Sequence, residues 1–208
     1  MTRRFRQLLL LTHLAVAFGW LASSLAMLAL IGHGTALADP GRRRAVFGVA
    51  AFLDDNVLAD FSFMTVYTGL MLAGLTPWGY LRFWWVAVKL VVAVGCALTG
   101  RELFGRWWAE ASTAGQSAPD GRLLAATAFM AATLAVLAWI GRTKPWGQTG
   151  LGPPVRPLDH PVLWVAVLVT PVLDYATGWP LQAVPAAVVL GHRGWATVRG
   201  WRRSPVTG

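Results

Sequence analysis

The stretch LLLLTHLAVAFGWLASSLAMLALI, from Leu8 to Ile31, decides how this chain folds. It contains no charged residue, and Arg3, Arg4 and Arg6 stand just ahead of it. A helix of about 20 apolar residues is enough to cross a bilayer. The stretch is also longer than the apolar core of a secretion signal, and no small-x-small cleavage site follows it. We therefore predict a transmembrane helix here.

The composition of the whole chain agrees with a membrane protein. Of the 208 residues, 56% are hydrophobic and only 13% are charged, which suits a polytopic membrane protein. The net charge is +9, but the basic residues lie between apolar stretches and at the ends of the chain. That pattern is typical of membrane topology and contact with lipid head groups. We therefore expect the lipid bilayer as a partner and no nucleic-acid partner.

Apolar stretches and turn residues predict an all-α membrane bundle of about six transmembrane helices, with five as the alternative. The first span ends at Gly32, and Asp39-Pro40 can open the next helix. Residues 42–53 read as an interfacial approach. The remaining spans are expected at residues 54–75, 81–98, 122–140, 160–177 and, more weakly, 180–198. Residues 101–112 read as an amphipathic continuation of the third span.

We predict a single integral membrane domain over residues 1–208. It would consist of a four-helix part, residues 1–141, and a C-terminal helical hairpin, residues 142–208. With six spans, most of the 18 Lys and Arg residues fall on the side of the N-terminus. The positive-inside rule then predicts a multi-pass protein of the cell membrane with both termini cytoplasmic. The basic run Arg42 to Arg44 argues against that orientation.

Two segments carry a family resemblance. They are THLAVAFGWLASSLAMLAL, Thr12 to Leu30, and YTGLMLAGLTPWGYLRFWWVAVKL, Tyr67 to Leu90, with its Thr-Pro-Trp-Gly turn. Together they resemble a family of small predicted integral membrane proteins that is catalogued as a domain of unknown function. The resemblance covers about residues 8–100 and implies a helical membrane bundle without implying an activity. The chain departs from that family at Asp54-Asp55-Asn56 and at Asp60.

Acidic groups inside the predicted spans are the first candidates for function, because a charge at membrane depth costs about 2.5–3.5 kcal/mol on insertion scales. One group opens the second span, where polar and long side chains recur every three or four residues. These residues share a predicted helical face and are Asn56, Asp60, Met64, Tyr67 and Met71. A second group, Asp174 and Tyr175, lies near the end of the fifth span. In the predicted orientation both groups lie in the outer half of the membrane.

This arrangement predicts an outward-facing polar pocket for a lipid-like or hydrophobic small molecule. Crowded carboxylates in a low dielectric can stay protonated and act as general acids. Such a pocket suits an acid–base enzyme, for example an isoprenoid cyclase or isomerase. The candidate catalytic acids are Asp55, Asp60 and Asp174. The candidate substrate-binding residues are Asp54, Asn56, Met64, Tyr67 and Tyr175. No metal or cofactor is expected.

Other interpretations of the same residues stay open. Asp54 and Asp55 can cap a helix, and Asp60 can pair with an arginine. His13 and His192 can serve as axial ligands of a b-type haem in an electron-transfer subunit. The chain can also be a structural or partner-binding membrane subunit. The single cysteine, Cys96, rules out a disulfide within the chain.

Overall fold

A computed structural model describes residues 3–113, 121–150 and 160–202. Over these ranges the chain is helical and contains no β-strand, so the predicted all-α fold is confirmed. The helices are α1 (Arg3–Ala36), α2 (Pro40–Leu53), α3 (Ala59–Leu75), α4 (Trp84–Thr113), α5 (Gly121–Thr143), α6 (Pro161–Thr177) and α7 (Ala183–Arg202). A π-helical turn, Asp54–Leu58, joins α2 to α3. When Pro40–Leu75 is counted as one helix, the described chain has six, as predicted.

Four of these helices are long and apolar enough to cross a membrane. They are Arg3–Ala36, Pro40–Leu75, the Trp84–Glu102 part of α4, and Gly121–Thr143. The next helix, α6, is apolar but only 17 residues long. The fold is therefore that of a polytopic membrane helical bundle. Whether α6 and α7 also cross the membrane stays a prediction.

The first helix is longer than predicted, because Gly32 and Gly34 do not end it and it continues to Ala36. A glycine inside a helix costs only about 1 kcal/mol, which packing can offset. A Cβ atom on Gly34 would lie 2.8 Å from the Phe47 ring. The glycine at this position therefore allows a close contact with α2.

The start of α2 follows the sequence prediction. Asp39 is its N-cap, and the Asp39 carboxylate accepts a hydrogen bond from the Arg42 amide at 2.7 Å, with Pro40 in the first turn. Asp54 is the C-cap residue of α2, and Asp55 follows it in the π-helical turn inside the continuous helix Pro40–Leu75. The alternative that these two acids cap or anchor the second span at the interface stays a prediction.

Two loops of the sequence interpretation fall partly beyond the described residues. Residues 114–120 lie outside them, and so do residues 151–159, the second half of the Gly- and Pro-rich segment after Arg142. The weaker sixth helix, predicted over residues 180–198, is present as α7. Pro185 is compatible with it because it lies in the first turn, where a missing amide hydrogen bond costs little.

Packing divides the chain into two compact units. Unit 1 comprises Met1–His13, Tyr67–Leu90 and Lys144–Gly208, and unit 2 comprises Leu14–Val66 and Val91–Thr143. The prediction of one domain over residues 1–208 stays a prediction. Fully buried large side chains mark the interior of each unit. In unit 1 they include Leu9, Met71, Leu75, Trp164 and Val189, and in unit 2 they include Trp20, Met27, Ile31 and Leu123.

Candidate functional site

The turn after α3 positions the main candidate residues of unit 1. Thr76 closes the helix by donating its hydroxyl to the Leu72 carbonyl at 2.6 Å. Pro77 cannot continue the helical hydrogen bonds, and Gly79 takes a left-handed conformation at φ 62°, which glycine adopts without steric cost. The turn Thr-Pro-Trp-Gly thereby brings Tyr80 back toward the end of α3.

Gly74 is the point where α7 and Tyr80 approach α3. A Cβ atom at this position would overlap both Cγ1 of Val189 and the hydroxyl oxygen of Tyr80. Val189 is fully buried. Glycine is therefore required here for close packing, and it leaves the Gly74 carbonyl within reach of α7.

Arg193 of α7 binds the Gly74 carbonyl. Its Nε atom donates to the Gly74 carbonyl at 2.5 Å, and only 7% of the residue is exposed. Burial lowers the pKa of Arg193 from its usual value, while the neighbouring Tyr80 partly opposes this effect. A guanidinium remains protonated in proteins. Unit 1 therefore contains a buried cation at the end of α3.

The hydroxyl of Tyr80 is buried beside this cation. Among the residues that the structure describes, it has no hydrogen-bond partner. Burial raises the pKa of Tyr80 to about 12, and the charge of Arg193 lowers it by a smaller amount. The phenol is thus a neutral donor at physiological pH.

A basic and aromatic rim surrounds the same turn. The Lys144 ammonium lies 5.5 Å from the ring centroid of Trp78 and 5.6 Å from that of Trp85, within cation–π range. Arg82 donates to the Pro77 carbonyl at 3.1 Å and stacks on Phe83 at 5.4 Å. Lys144 thus lies next to two tryptophan rings and Arg82 next to a phenylalanine ring. Basic side chains beside tryptophan are typical of the membrane–water interface.

Two loops of unit 1 are paired along their backbones. The Thr149 amide donates to the Arg82 carbonyl at 2.9 Å, and the Trp84 amide donates to the Gly147 carbonyl at 3.4 Å. Phe83 and Gln148 form an isolated antiparallel bridge. The α3–α4 loop and the loop after α5 therefore lie at the same end of unit 1.

A second set of polar contacts crosses the helices of unit 1. Nδ1 of His13 in α1 lies 2.9 Å from the Thr68 hydroxyl in α3. The neighbouring Tyr67 donates its hydroxyl to the Val167 carbonyl of α6 at 3.2 Å and lies 3.4 Å from Oγ1 of Thr170. Consecutive residues of α3 thus bind two different helices, which is how polar side chains join helices in membranes.

The residues predicted for the outward-facing pocket fall into both units. Tyr67, Asp174 and Tyr175 belong to unit 1. The Asp174 carboxylate accepts the Gln182 amide at 3.0 and 3.2 Å, so it links α6 to the start of α7. Tyr175 is 89% exposed. Of these three, only Tyr67 is buried among polar partners.

The other predicted residues belong to unit 2, namely Asp54, Asp55, Asn56, Asp60 and Met64. Asn56 donates its side-chain amide to the Phe52 carbonyl at 2.9 Å, a contact within its own helix. Asp55 and Asp60 are exposed, and the described residues offer neither of them a hydrogen bond or an ion pair. The alternative pairing of Asp60 with an arginine is thus not seen in the described part of the chain.

Sequence reasoning did not single out Tyr80, Gly74 or Arg193. A signal existed for two of them, because Tyr80 follows the Thr-Pro-Trp-Gly turn directly and Arg193 interrupts the apolar run of the last helix. Their proximity could not be predicted, since Gly74 and Arg193 are 119 residues apart.

The haem alternative keeps its two residues in one unit. His13 is half-buried against Thr68 and His192 is exposed. Within the described ranges, no three His, Cys, Asp or Glu residues come close enough to hold a metal ion. The haem interpretation stays a prediction.

No family model, no curated protein and no solved structure matches this chain. The resemblance over residues 8–100 therefore stays a prediction, and function is inferred from the contacts of unit 1.

Proposed function

We propose that this integral membrane protein binds a lipid-like amphiphile in unit 1 through the polar head of that molecule. The observation that carries the proposal is the buried hydroxyl of Tyr80, which has no partner among the described residues. Leaving a buried donor unsatisfied costs about 1–3 kcal/mol, and such groups call for a specific explanation. A head-group oxygen that accepts from Tyr80 removes this cost.

The position of Tyr80 favours an amphiphile over a water-soluble ligand. The residue lies in the short loop between two candidate spans, which end at Leu75 and begin at Trp84. Trp78, Trp85 and Lys144 line the same loop. Tryptophan and basic side chains concentrate at the level of lipid head groups. A lipid-like molecule presents its polar atoms at this depth and its apolar part to the helices.

We propose an orientation in which both termini lie on the cytoplasmic side. The loops after α3 and α5 are paired, so they share one side of the membrane. Two candidate spans lie between the N-terminus and the first loop, and two more lie between the first loop and the second. A cytoplasmic N-terminus therefore places both loops in the cytoplasm. Their cations Arg82 and Lys144 favour the cytoplasm. In this orientation the Tyr80 site faces the cytoplasm, whereas the sequence predicted a pocket in the outer half.

Cysteine labelling tests this orientation. In a Cys96→Ser background, Leu81→Cys and Gln148→Cys should react only from the cytoplasmic side, and Leu37→Cys only from the opposite side. Labelling of Leu81→Cys and Gln148→Cys from opposite sides would contradict the paired loops. Labelling of both from outside would reverse the orientation.

An acid–base reaction on the bound molecule is not part of the proposal. Asp174, the one candidate acid in unit 1, holds the Gln182 amide, while Asp55 and Asp60 belong to unit 2. The isoprenoid cyclase or isomerase activity, the b-haem subunit and the partner-binding subunit all stay predictions from the sequence.

Mass spectrometry of extracted small molecules tests the proposed function. The protein is purified in mild detergent, extracted with organic solvent and compared with a Tyr80→Phe variant carried through the same steps. We expect an amphiphile enriched in the wild-type extract and depleted in the variant. An absorbance spectrum of the same sample serves as a control, because a stoichiometric Soret band would support haem instead. Equal lipid profiles in both extracts would refute the proposal.

A further inference from the structure

We propose that Arg193 and Tyr80 together bind a phosphate group, the anionic part of the amphiphile's head. This inference rests on the proposed function, and it names the chemistry that the same site recognises. The recognised group is a phosphate, which either a lipid phosphomonoester or phosphodiester or a free phosphate ion can supply.

Arg193 supplies a buried cation to the site. Arg193 is 7% exposed, and its Nε atom uses one N–H group on the Gly74 carbonyl. A guanidinium carries five N–H donors in a rigid fork, and that geometry matches the oxygens of a phosphate. The Gly74 contact fixes the orientation of the fork, so a ligand meets a preorganised group.

A neutral hydrogen-bond donor lies next to this cation. The Tyr80 hydroxyl lies against Gly74, the residue whose carbonyl holds Arg193. It is buried and has no acceptor within the described residues. A phosphate oxygen accepts from both a guanidinium and a phenol, whereas a second cation or an apolar group accepts from neither.

The site lies at the end of a candidate membrane span. Gly74 is the penultimate residue of α3, and Tyr80 follows it in the loop that carries Trp78. The ammonium of Lys144, from the loop after α5, lies over the Trp78 ring. Phosphate groups of a bilayer lie at the level where spans end. A phosphate attached to acyl or isoprenoid chains therefore reaches Arg193 without leaving the membrane.

Three probes separate the sources of the phosphate. Dioctanoyl phosphatidic acid carries tails and a phosphate, dioctanoylglycerol carries the same tails without it, and inorganic phosphate has no tails. Binding of each to the detergent-solubilised protein is measured by native mass spectrometry and by thermal shift. The variants are Tyr80→Phe and Arg193→Lys. The lysine keeps the positive charge but lacks the forked donors of the guanidinium. The control is Arg142→Gln, which removes an exposed cation at the end of α5.

We expect saturable binding of phosphatidic acid and none of dioctanoylglycerol. Tyr80→Phe should weaken the binding about tenfold, the effect of losing one hydrogen bond to a charged group. Arg142→Gln should leave it unchanged. Arg193→Lys should also weaken it, and Tyr80→Phe keeps the test valid if the lysine variant does not fold.

The other outcomes separate the two proposals. If inorganic phosphate binds as tightly as phosphatidic acid and responds to Tyr80→Phe, the phosphate site stands and the amphiphile proposal fails. If dioctanoylglycerol binds as tightly as phosphatidic acid, the phosphate inference is overturned while amphiphile binding stands. If phosphatidic acid binding responds equally to Arg142→Gln and Tyr80→Phe, or to neither, the inference is also overturned.

Discussion

Nε of Arg193 donates to the main-chain oxygen of Gly74 at 2.5 Å, so a buried cation of α7 contacts the end of α3. The contact needs a glycine, because any side chain at this position would collide with Val189 and Tyr80. One small residue therefore serves both the packing of α7 and the position of the guanidinium. The following predictions test this arrangement and the polar contacts around it.

Gly74→Ala should destabilise the protein. The added methyl group overlaps Val189 and the Tyr80 hydroxyl, and overpacking of this kind costs about 1–3 kcal/mol. The measurement is thermal unfolding in detergent. Gly95→Ala is the matched control, because a Cβ atom there meets nothing within 4 Å, and it should be neutral or slightly stabilising. Equal melting temperatures for the two variants would show that α7 does not pack on Gly74.

Tyr67→Phe should lower the stability by about 0.5–1.5 kcal/mol, the usual net value of a hydrogen bond. The lost hydroxyl donates to the Val167 carbonyl and lies near Thr170 in α6. Tyr175→Phe makes the same chemical change at a side chain that is 89% exposed, and it should have no effect. Denaturant unfolding compares them. A larger loss for Tyr175→Phe than for Tyr67→Phe would contradict the contact with α6.

Asp174→Ala should loosen the start of α7. Its carboxylate accepts the Gln182 amide just ahead of α7, and losing a hydrogen bond to a charged group costs about 1.5–3 kcal/mol. Hydrogen exchange should become faster over the first turns of α7 and stay unchanged in α5. If exchange does not change and a ligand-dependent activity is lost instead, the catalytic role predicted from the sequence is the better explanation for Asp174.

An alkaline titration should show that the Tyr80 hydroxyl is buried. Its pKa in the folded protein is about 12, above the ordinary value of 10.0, chiefly because of burial. The folded state therefore favours the neutral phenol, and the stability from this group is full below pH 10 and falls as the pH rises toward 12. Absorbance at 295 nm, taken as wild type minus Tyr80→Phe, should give a late phenol titration. A midpoint near the ordinary value would show that the hydroxyl is exposed.

The fold was largely predictable from local patterns. The apolar stretch from Leu8 and the Asp39-Pro40 pair each carry their structural meaning within a few residues, and both predictions are confirmed. The end of α1 was missed because glycine usually weakens helices, and only the Phe47 ring explains why Gly34 is tolerated. The π-helical turn Asp54–Leu58 was not predicted, because such a turn leaves no clear trace in the apolar periodicity.

The candidate site was less predictable, because it depends on residues far apart in the chain. Charge at membrane depth drew attention to Asp55 and Asp60, which are exposed and have no partner among the described residues. Tyr67 was found through its helical face and is buried as a polar contact should be. Gly74 and Arg193 are joined only by tertiary structure. No periodicity in the sequence connects them.

Native mass spectrometry of the protein released from detergent tests the central claim, that unit 1 holds an amphiphile through Tyr80. The wild-type spectrum should contain a protein–amphiphile adduct near one ligand per chain, and Tyr80→Phe should lose most of it while keeping the same melting temperature within a few degrees. A wild-type spectrum with bare protein only, or an adduct that survives unchanged in Tyr80→Phe, would contradict the claim.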